Sequence, residues 1–171
     1  MQKTIVVAFA IVVMLACLAP SVKAIQTPTR FYVKFYGSPW DTRPVGVGHI
    51  IVGDYSIWEF INWGKIVQEG GNINSPPIGQ FEAYNFWVIN MVTVKSVVYY
   101  TQMNITLYDG PYAGKTFELR GFLNIYVFPG GNQGGAILGG FMTGHVDGMR
   151  VAGHVEPIEV FSASAFDGYI Y

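Results

Sequence analysis

Residues 136–155 read AILGGFMTGHVDGMRVAGHV, and they contain the clearest turn signal in the chain. Asp147-Gly148 is typical of a two-residue type I′ turn, because both central residues of that turn need a positive φ. Strand-forming residues flank this dipeptide on both sides. We therefore predict a β-hairpin with four opposing pairs: Val146 with Met149, His145 with Arg150, Thr143 with Ala152, and Phe141 with His154.

The period-two alternation of a strand recurs along most of the chain. At residues 30–36, Phe31, Val33 and Phe35 alternate with more polar neighbours. Gly46 and Gly48 indicate a bulge or a close backbone approach in the next strand. We predict strands over residues 30–36, 45–52, 81–94, 96–107, 115–127, 136–146, 149–155 and 158–163, with 169–171 as a short addition.

Residues 56–69 fit two structures. Ser56 and Glu59 have the spacing of a helix capping box, and two glycines follow at a plausible helix end. Gly64 opposes a helix, as does the abundance of β-branched and aromatic residues. An alternation of Trp58, Phe60 and Asn62 with the residues between them is equally good. We favour strand.

Eight to ten strands joined by short connections, with no crossover helix, predict an all-β fold built as an antiparallel meander. Such a meander can close as an up-and-down barrel, and this architecture is similar to that of lipocalin-like and dirigent-like folds. The alternative is a β-sandwich. The resemblance is one of architecture and implies no particular activity.

The N-terminus predicts export. Lys3 is followed by an apolar run over residues 4–18, and Val22 and Ala24 place small residues where a signal peptidase cuts. We expect residues 1–24 to be a signal peptide and residues 25–171 to be one β-rich domain of a secreted or extracytoplasmic protein. The apolar run is shorter than the roughly 20 residues of a membrane-spanning helix, which disfavours an uncleaved anchor.

Cys17 is the only cysteine, and it lies inside this segment. The mature domain would then have neither a disulfide nor a thiolate nucleophile, so its stability would come from packing. Residues 14–17 also weakly resemble a bacterial lipobox, which makes a lipid anchor through Cys17 a minor alternative.

Composition limits the partners. Only 12% of residues are charged, and the formal net charge of −1 becomes −3 once Lys3 and Lys23 leave with the signal peptide. No basic patch remains, so we expect no nucleic-acid partner. We also predict no cofactor and no resident metal. A small apolar or glycan ligand, or a protein partner, suits this composition better.

Two histidines each have an acid two residues later, and residues at i and i+2 share a strand face. His145 precedes Asp147 and His154 precedes Glu156, so either pair could bind a metal or act as acid and base. The predicted hairpin sets the histidines four residues out of register, about 13 Å apart. One metal ion cannot reach both. His145, His154 and Glu156 remain candidates for a barrel enzyme, a hydrolase or isomerase.

Aromatic residues are the other candidates. Four tryptophans, Trp40, Trp58, Trp63 and Trp87, could stack on sugar rings or line an apolar pocket, although a β-domain without disulfides also needs them in its core. Three glutamates, at positions 59, 82 and 118, could in principle supply a glycosidase pair.

Asn104-Ile105-Thr106 is an acceptor sequence for N-glycosylation. Modification of Asn104 requires that its side chain face solvent.

Taken together, these features favour a non-enzymatic exported protein that binds a ligand or a protein partner. The alternatives are a cell-surface structural or assembly protein and the histidine enzyme.

Overall fold

The computed structural model describes residues 27–37, 45–128, 135–159 and 163–171. The predicted signal peptide, residues 1–24 with Cys17, lies outside these ranges, as does Trp40. Within the described ranges there is no helix long and apolar enough to cross a membrane. The described residues form nine strands: β1 (Thr29–Gly37), β2 (Val45–Val52), β3 (Tyr55–Val67), β4 (Gly79–Asn90), β5 (Lys95–Leu107), β6 (Thr116–Val127), β7 (Gly135–Val146), β8 (Met149–Glu159) and β9 (Ala163–Ile170).

All nine strands belong to one antiparallel sheet, so the sandwich alternative does not form. Strands β2 to β9 follow each other as a meander, and β1 pairs with both β9 and β3. Eight strands, β1 and β3 to β9, thereby form a ring. Strand β2 pairs with the first half of β3, whereas β1 pairs with its last residues, so β2 lies outside the ring.

Strand β3 covers most of residues 56–69, for which the sequence fitted both a helix and a strand, and the strand prediction is confirmed. Trp58 and Phe60 pack against the interior core, while Glu59 and Trp63 lie on the opposite, outer face. Gly64 lies where β1 replaces β2 as the neighbour of β3. A Cβ at this position would overlap the Tyr36 carbonyl, so the junction requires glycine.

The β7–β8 hairpin has the predicted turn and register. Asp147 and Gly148 have φ values of 49° and 78°, as a type I′ turn requires. All four predicted opposing pairs are present. The bulge predicted from Gly46 and Gly48 is also present, between those two residues.

Three strand limits differ from prediction by more than two residues. Strand β4 ends at Asn90 rather than at residue 94, because the Asn90 side chain accepts hydrogen bonds from the backbone N–H groups of Val92 and Thr93 and so closes a turn. The strand predicted over residues 158–163 was wrong. Strand β8 continues through Pro157 at a bulge, and β9 spans Ala163–Ile170, of which only the last residues had been predicted.

One end of the ring is filled by aromatic side chains. Phe31 of β1 and Phe117 of β6 come from opposite sides of the ring, and their rings stack at 4.1 Å and 8°. Tyr112, in the β5–β6 turn, packs edge-on against both of them. The interior therefore leaves no passage at this level. We call this the closed end. The end bearing the β2–β3 and β4–β5 turns is called the open end because the described residues form no such aromatic stack across the ring there.

Candidate ligand-binding site

Four aromatic side chains lie side by side on the inner face of β2, β3, β4 and β5 near the open end. His49 is opposite Trp58, Trp58 is opposite Trp87, and Trp87 is opposite Tyr99. The His49 and Trp58 rings stack at 3.8 Å, and the Trp87 and Tyr99 rings meet at 5.8 Å. This aromatic row begins on β2, outside the ring, and continues into the interior.

Serine hydroxyls hold both indoles of the row in place. Trp58 donates from Nε1 to the Ser56 Oγ at 2.8 Å, and Trp87 donates from Nε1 to the Ser96 Oγ at 2.9 Å. His49 Nε2 lies 2.9 Å from the same Ser56 oxygen. Because buried indole N–H groups need a partner, these bonds fix the ring orientations before any ligand arrives.

A polar network lies directly below the aromatic row, towards the closed end. Asn85 is 2% exposed, and its Oδ1 accepts a hydrogen bond from the Tyr99 hydroxyl at 2.9 Å. Its Nδ2 donates to the Asn62 Oδ1, also at 2.9 Å. Burial raises the pKa of the Tyr99 phenol, which keeps it neutral and a hydrogen-bond donor. We call Asn62, Asn85 and Tyr99 the amide network.

Thr101 lies beside this network with its hydroxyl unsatisfied. It is 1% exposed and opposite Asn85, yet its Oγ1 makes no hydrogen bond to the described part of the protein. A buried hydroxyl without a partner costs about 1–3 kcal/mol. The Thr101 hydroxyl is thus an unpaired, buried polar group beside the amide network.

The aromatic row and the amide network carry no formal charge while His49 is neutral. Trp58, Phe60 and Asn62 are only half-buried, so part of this surface is accessible. Flat aromatic faces next to neutral donors and acceptors suit a neutral ring compound with hydrogen-bonding groups. A charged ligand would find no counter-ion among these side chains.

The structure brings together only two of the predicted tryptophans. Trp58 and Trp87 are cross-strand neighbours in the aromatic row. Trp63 is 42% exposed on the outer face of β3. It follows Trp58 by five residues, an odd number, and side chains at odd spacing point to opposite faces of a strand.

The predicted histidine candidates lie on the outer face, where both are exposed. His145 is flanked by Glu118 of β6 and Arg150 of β8, and His154 Nε2 is 3.8 Å from Glu156 Oε2. The four-residue stagger between the histidines is confirmed. The described residues contain no group of three or more His, Cys, Asp or Glu side chains that could hold a metal. The interior site does not use these residues.

Asp167, opposite His154, already has a partner. Arg30 donates to its Oδ1 and Oδ2 at 3.0 and 2.8 Å, and this bidentate hydrogen bond lowers the pKa of the Asp167 carboxyl. The Asp167 carboxylate, which lies opposite His154, is therefore already bound to Arg30 and links β9 to β1.

Glu82 and Glu118 lie in one row with Asn104 on the outer face. Across β3 to β6, Trp63, Glu82, Asn104 and Glu118 are opposite one another in turn. Trp63, Glu82 and Asn104 border a groove of about 390 Å³ that is open to solvent, whereas Glu118 is not part of its lining. Asn104 is exposed, as glycosylation requires, and its modification stays a prediction.

Sequence reasoning did not select Asn85 or Thr101 as site residues. The strand pattern could have identified both residues. Each is polar, and it occupies an inward position of an alternating strand whose other inward residues are mostly apolar. Such a residue is either paired or functional. Sequence reasoning did not select His49 either, since its contact with Trp58 depends on the β2–β3 register.

The chain matches no family model, no curated protein and no solved structure.

Proposed function

We propose that this is a non-enzymatic binding protein that takes a neutral, ring-shaped small molecule, of the kind that a sugar or a hydroxylated aromatic compound represents, at the open end of its ring. The observation that carries the proposal is the buried, unsatisfied Thr101 hydroxyl next to the amide network and below the aromatic row. Burying these polar groups opposes folding unless they are fully paired, and a ligand would complete the pairing.

The two halves of the interior suit this use. The closed end is filled by the Phe31–Phe117 stack and supplies stability, whereas the open end supplies rings and neutral polar groups. This division supports the view that the eight-stranded ring acts as an up-and-down barrel of lipocalin-like or dirigent-like architecture, with one end as its mouth.

The proposed setting is outside the cytoplasm. Residues 1–24 have the pattern of a signal peptide, and the remaining chain has no cysteine to be oxidised there. Anchoring through Cys17 is the minor alternative. The low net charge and the absence of a basic stretch support a neutral ligand over nucleic acid.

The first test compares two tryptophans of the same strand. We expect phenyl β-glucoside, a neutral probe with an aromatic ring and a sugar ring, to quench tryptophan fluorescence of the protein on titration. Trp58→Ala should weaken this binding roughly tenfold or more, because it removes the ring at the centre of the aromatic row.

Trp63→Ala is the matched control, since Trp63 lies on the outer face of β3. It should leave the affinity of the probe unchanged while lowering total fluorescence. Equal weakening by both substitutions would place binding elsewhere, and failure of the probe and of a panel of neutral monosaccharides to bind would overturn the proposal.

Thr101→Val tests the unsatisfied hydroxyl. The change keeps the shape of the side chain, so without ligand we expect the variant to be more stable by about 1 kcal/mol, with a Tm about 2–4 °C higher. With the probe it should bind more weakly. The measurement is thermal unfolding followed by circular dichroism with and without probe. A lower Tm in the absence of ligand would mean that the hydroxyl already has a partner within the protein.

A further inference from the structure

Strand β2 has one paired edge and one free edge. It pairs with β3 through Tyr55–Ile61, and its other edge pairs with no strand in the described part of the chain. Every other described strand lies within the ring and has a neighbour on both sides. A free edge exposes a row of backbone N–H and C=O groups, which another strand can satisfy.

This edge lacks the features by which monomeric proteins protect such strands. Ile50, Ile51 and Val52 are consecutive and are 59%, 69% and 57% exposed, so both faces of β2 are apolar and uncovered here. Residues 45–52 contain no lysine, aspartate, glutamate or proline. Charged residues and prolines are the usual means of preventing edge-to-edge pairing.

The apolar surface continues beyond β2. Tyr55, opposite Val52 on β3, is 42% exposed, and Val92 of the β4–β5 turn and Val97 of β5 are also exposed. Exposed apolar side chains beside an unpaired strand edge enlarge the apolar surface that a partner can cover.

We propose that two copies of this chain pair through antiparallel β2 edges about a twofold axis, joining their sheets. A twofold pairing sets each residue of one β2 against β2 of the other copy, so a charged edge would repel itself. The β2 edge carries no formal charge while His49 is neutral, and it is β-branched on both faces, which makes it complementary to its own copy.

This pairing is closed. A twofold contact uses the same β2 edge of both copies, so it leaves no β2 edge for a third copy. The twofold axis of an antiparallel strand pair is perpendicular to the sheet, so the same face of both copies points the same way. The His49 rings of the two copies thus lie on one side of the joined sheet, next to the seam.

The test is the association state measured by analytical ultracentrifugation over a concentration series. We expect a monomer–dimer equilibrium for the unmodified protein, purified from cells that express the complete sequence. Ile50→Lys should weaken association roughly tenfold or more, because it places a positive charge on the pairing edge of both copies.

Leu138→Lys is the matched control, since Leu138 is also 59% exposed but lies on β7. It should leave the dimer unchanged, and circular dichroism should show the same strand content in both variants. A protein that is monomeric at all concentrations would overturn the proposal. So would a dimer that Ile50→Lys leaves as strong as before.

Cysteine substitutions distinguish this pairing from non-specific association. In a Cys17→Ala background, single substitutions Ile50→Cys, Ile51→Cys and Val52→Cys are oxidised and examined for disulfide-linked dimers. Only residues near the twofold axis approach their own copy within disulfide reach, so one or two adjacent positions should cross-link and Leu138→Cys should not. Equal cross-linking at all four positions would contradict an ordered β2 pairing.

Discussion

Phe117→Ala is expected to destabilise the protein by about 4 kcal/mol and to lower its Tm on the order of 10 °C. Phe117 is 0% exposed and stacks on Phe31 from the opposite side of the ring. Removing it leaves a cavity that the surrounding rigid sheet can only partly fill. Thermal unfolding by differential scanning calorimetry measures the loss.

Phe122→Ala provides the control on the same strand. Phe122 is 64% exposed on the outer face of β6, where its ring lies 5.3 Å from that of Tyr100. We expect a loss below about 1 kcal/mol. If both truncations cost the same, the assignment of odd β6 positions to the interior would be wrong.

Gly153→Ala is expected to cost about 3 kcal/mol, although it adds a single methyl group. Gly153 faces Gly168 across β8 and β9, and a Cβ on Gly153 would lie 2.5 Å from the Gly168 Cα and 2.7 Å from the Phe166 Cζ. It would also overlap the Asp167 carbonyl. The strands cannot separate to make room without opening the ring between β8 and β9.

The control is Gly48→Ala, a glycine on β2. There a Cβ would meet only the Glu59 Oε2, at 3.8 Å, which is ordinary van der Waals contact. Urea denaturation should show near-wild-type stability for Gly48→Ala and a clearly lower midpoint for Gly153→Ala. A Gly153→Ala midpoint equal to that of Gly48→Ala would show that the ring tolerates wider spacing at this point.

Glycines of this type explain how the sheet closes. Gly121, Gly144 and Gly153 all lie on inward positions, and a Cβ on each would collide with the backbone of the next strand. Inward positions without side chains let neighbouring strands coil tightly. In the sequence a glycine precedes each of the three histidines, but only the structure shows that Gly144 and Gly153 face inward while His145 and His154 face outward.

Local patterns accounted for most strands and for the β7–β8 register. For residues 56–69 the alternation of Trp58 and Phe60 with Glu59 was only as good as the helical pattern, and Gly64 with the abundance of β-branched and aromatic residues favoured strand. Asp147-Gly148 determined the β7–β8 register, because a two-residue turn leaves only one pairing. The errors at Asn90 and Pro157 arose where a side-chain hydrogen bond ended a strand and where a bulge tolerated a proline.

The candidate site was less accessible to sequence reasoning. Trp58 and Trp87 were candidates, yet Trp63 was as good a candidate as either until its face was known. Asn85 and Thr101 become informative only when their strands are opposed and their side chains are seen to be buried together.

The sequence by itself predicted an antiparallel meander and which residues share one face of a strand, because strand periodicity and turn chemistry act between residues that are close along the chain. Only the tertiary structure decided that β1 closes the ring against β3 and β9, that β2 stays outside it with a free edge, and that the aromatic row meets the amide network. Those contacts join residues far apart in sequence, and they depend on how tightly the whole sheet coils. The Asp147-Gly148 hairpin is thus local in origin, whereas the ring that contains it is not.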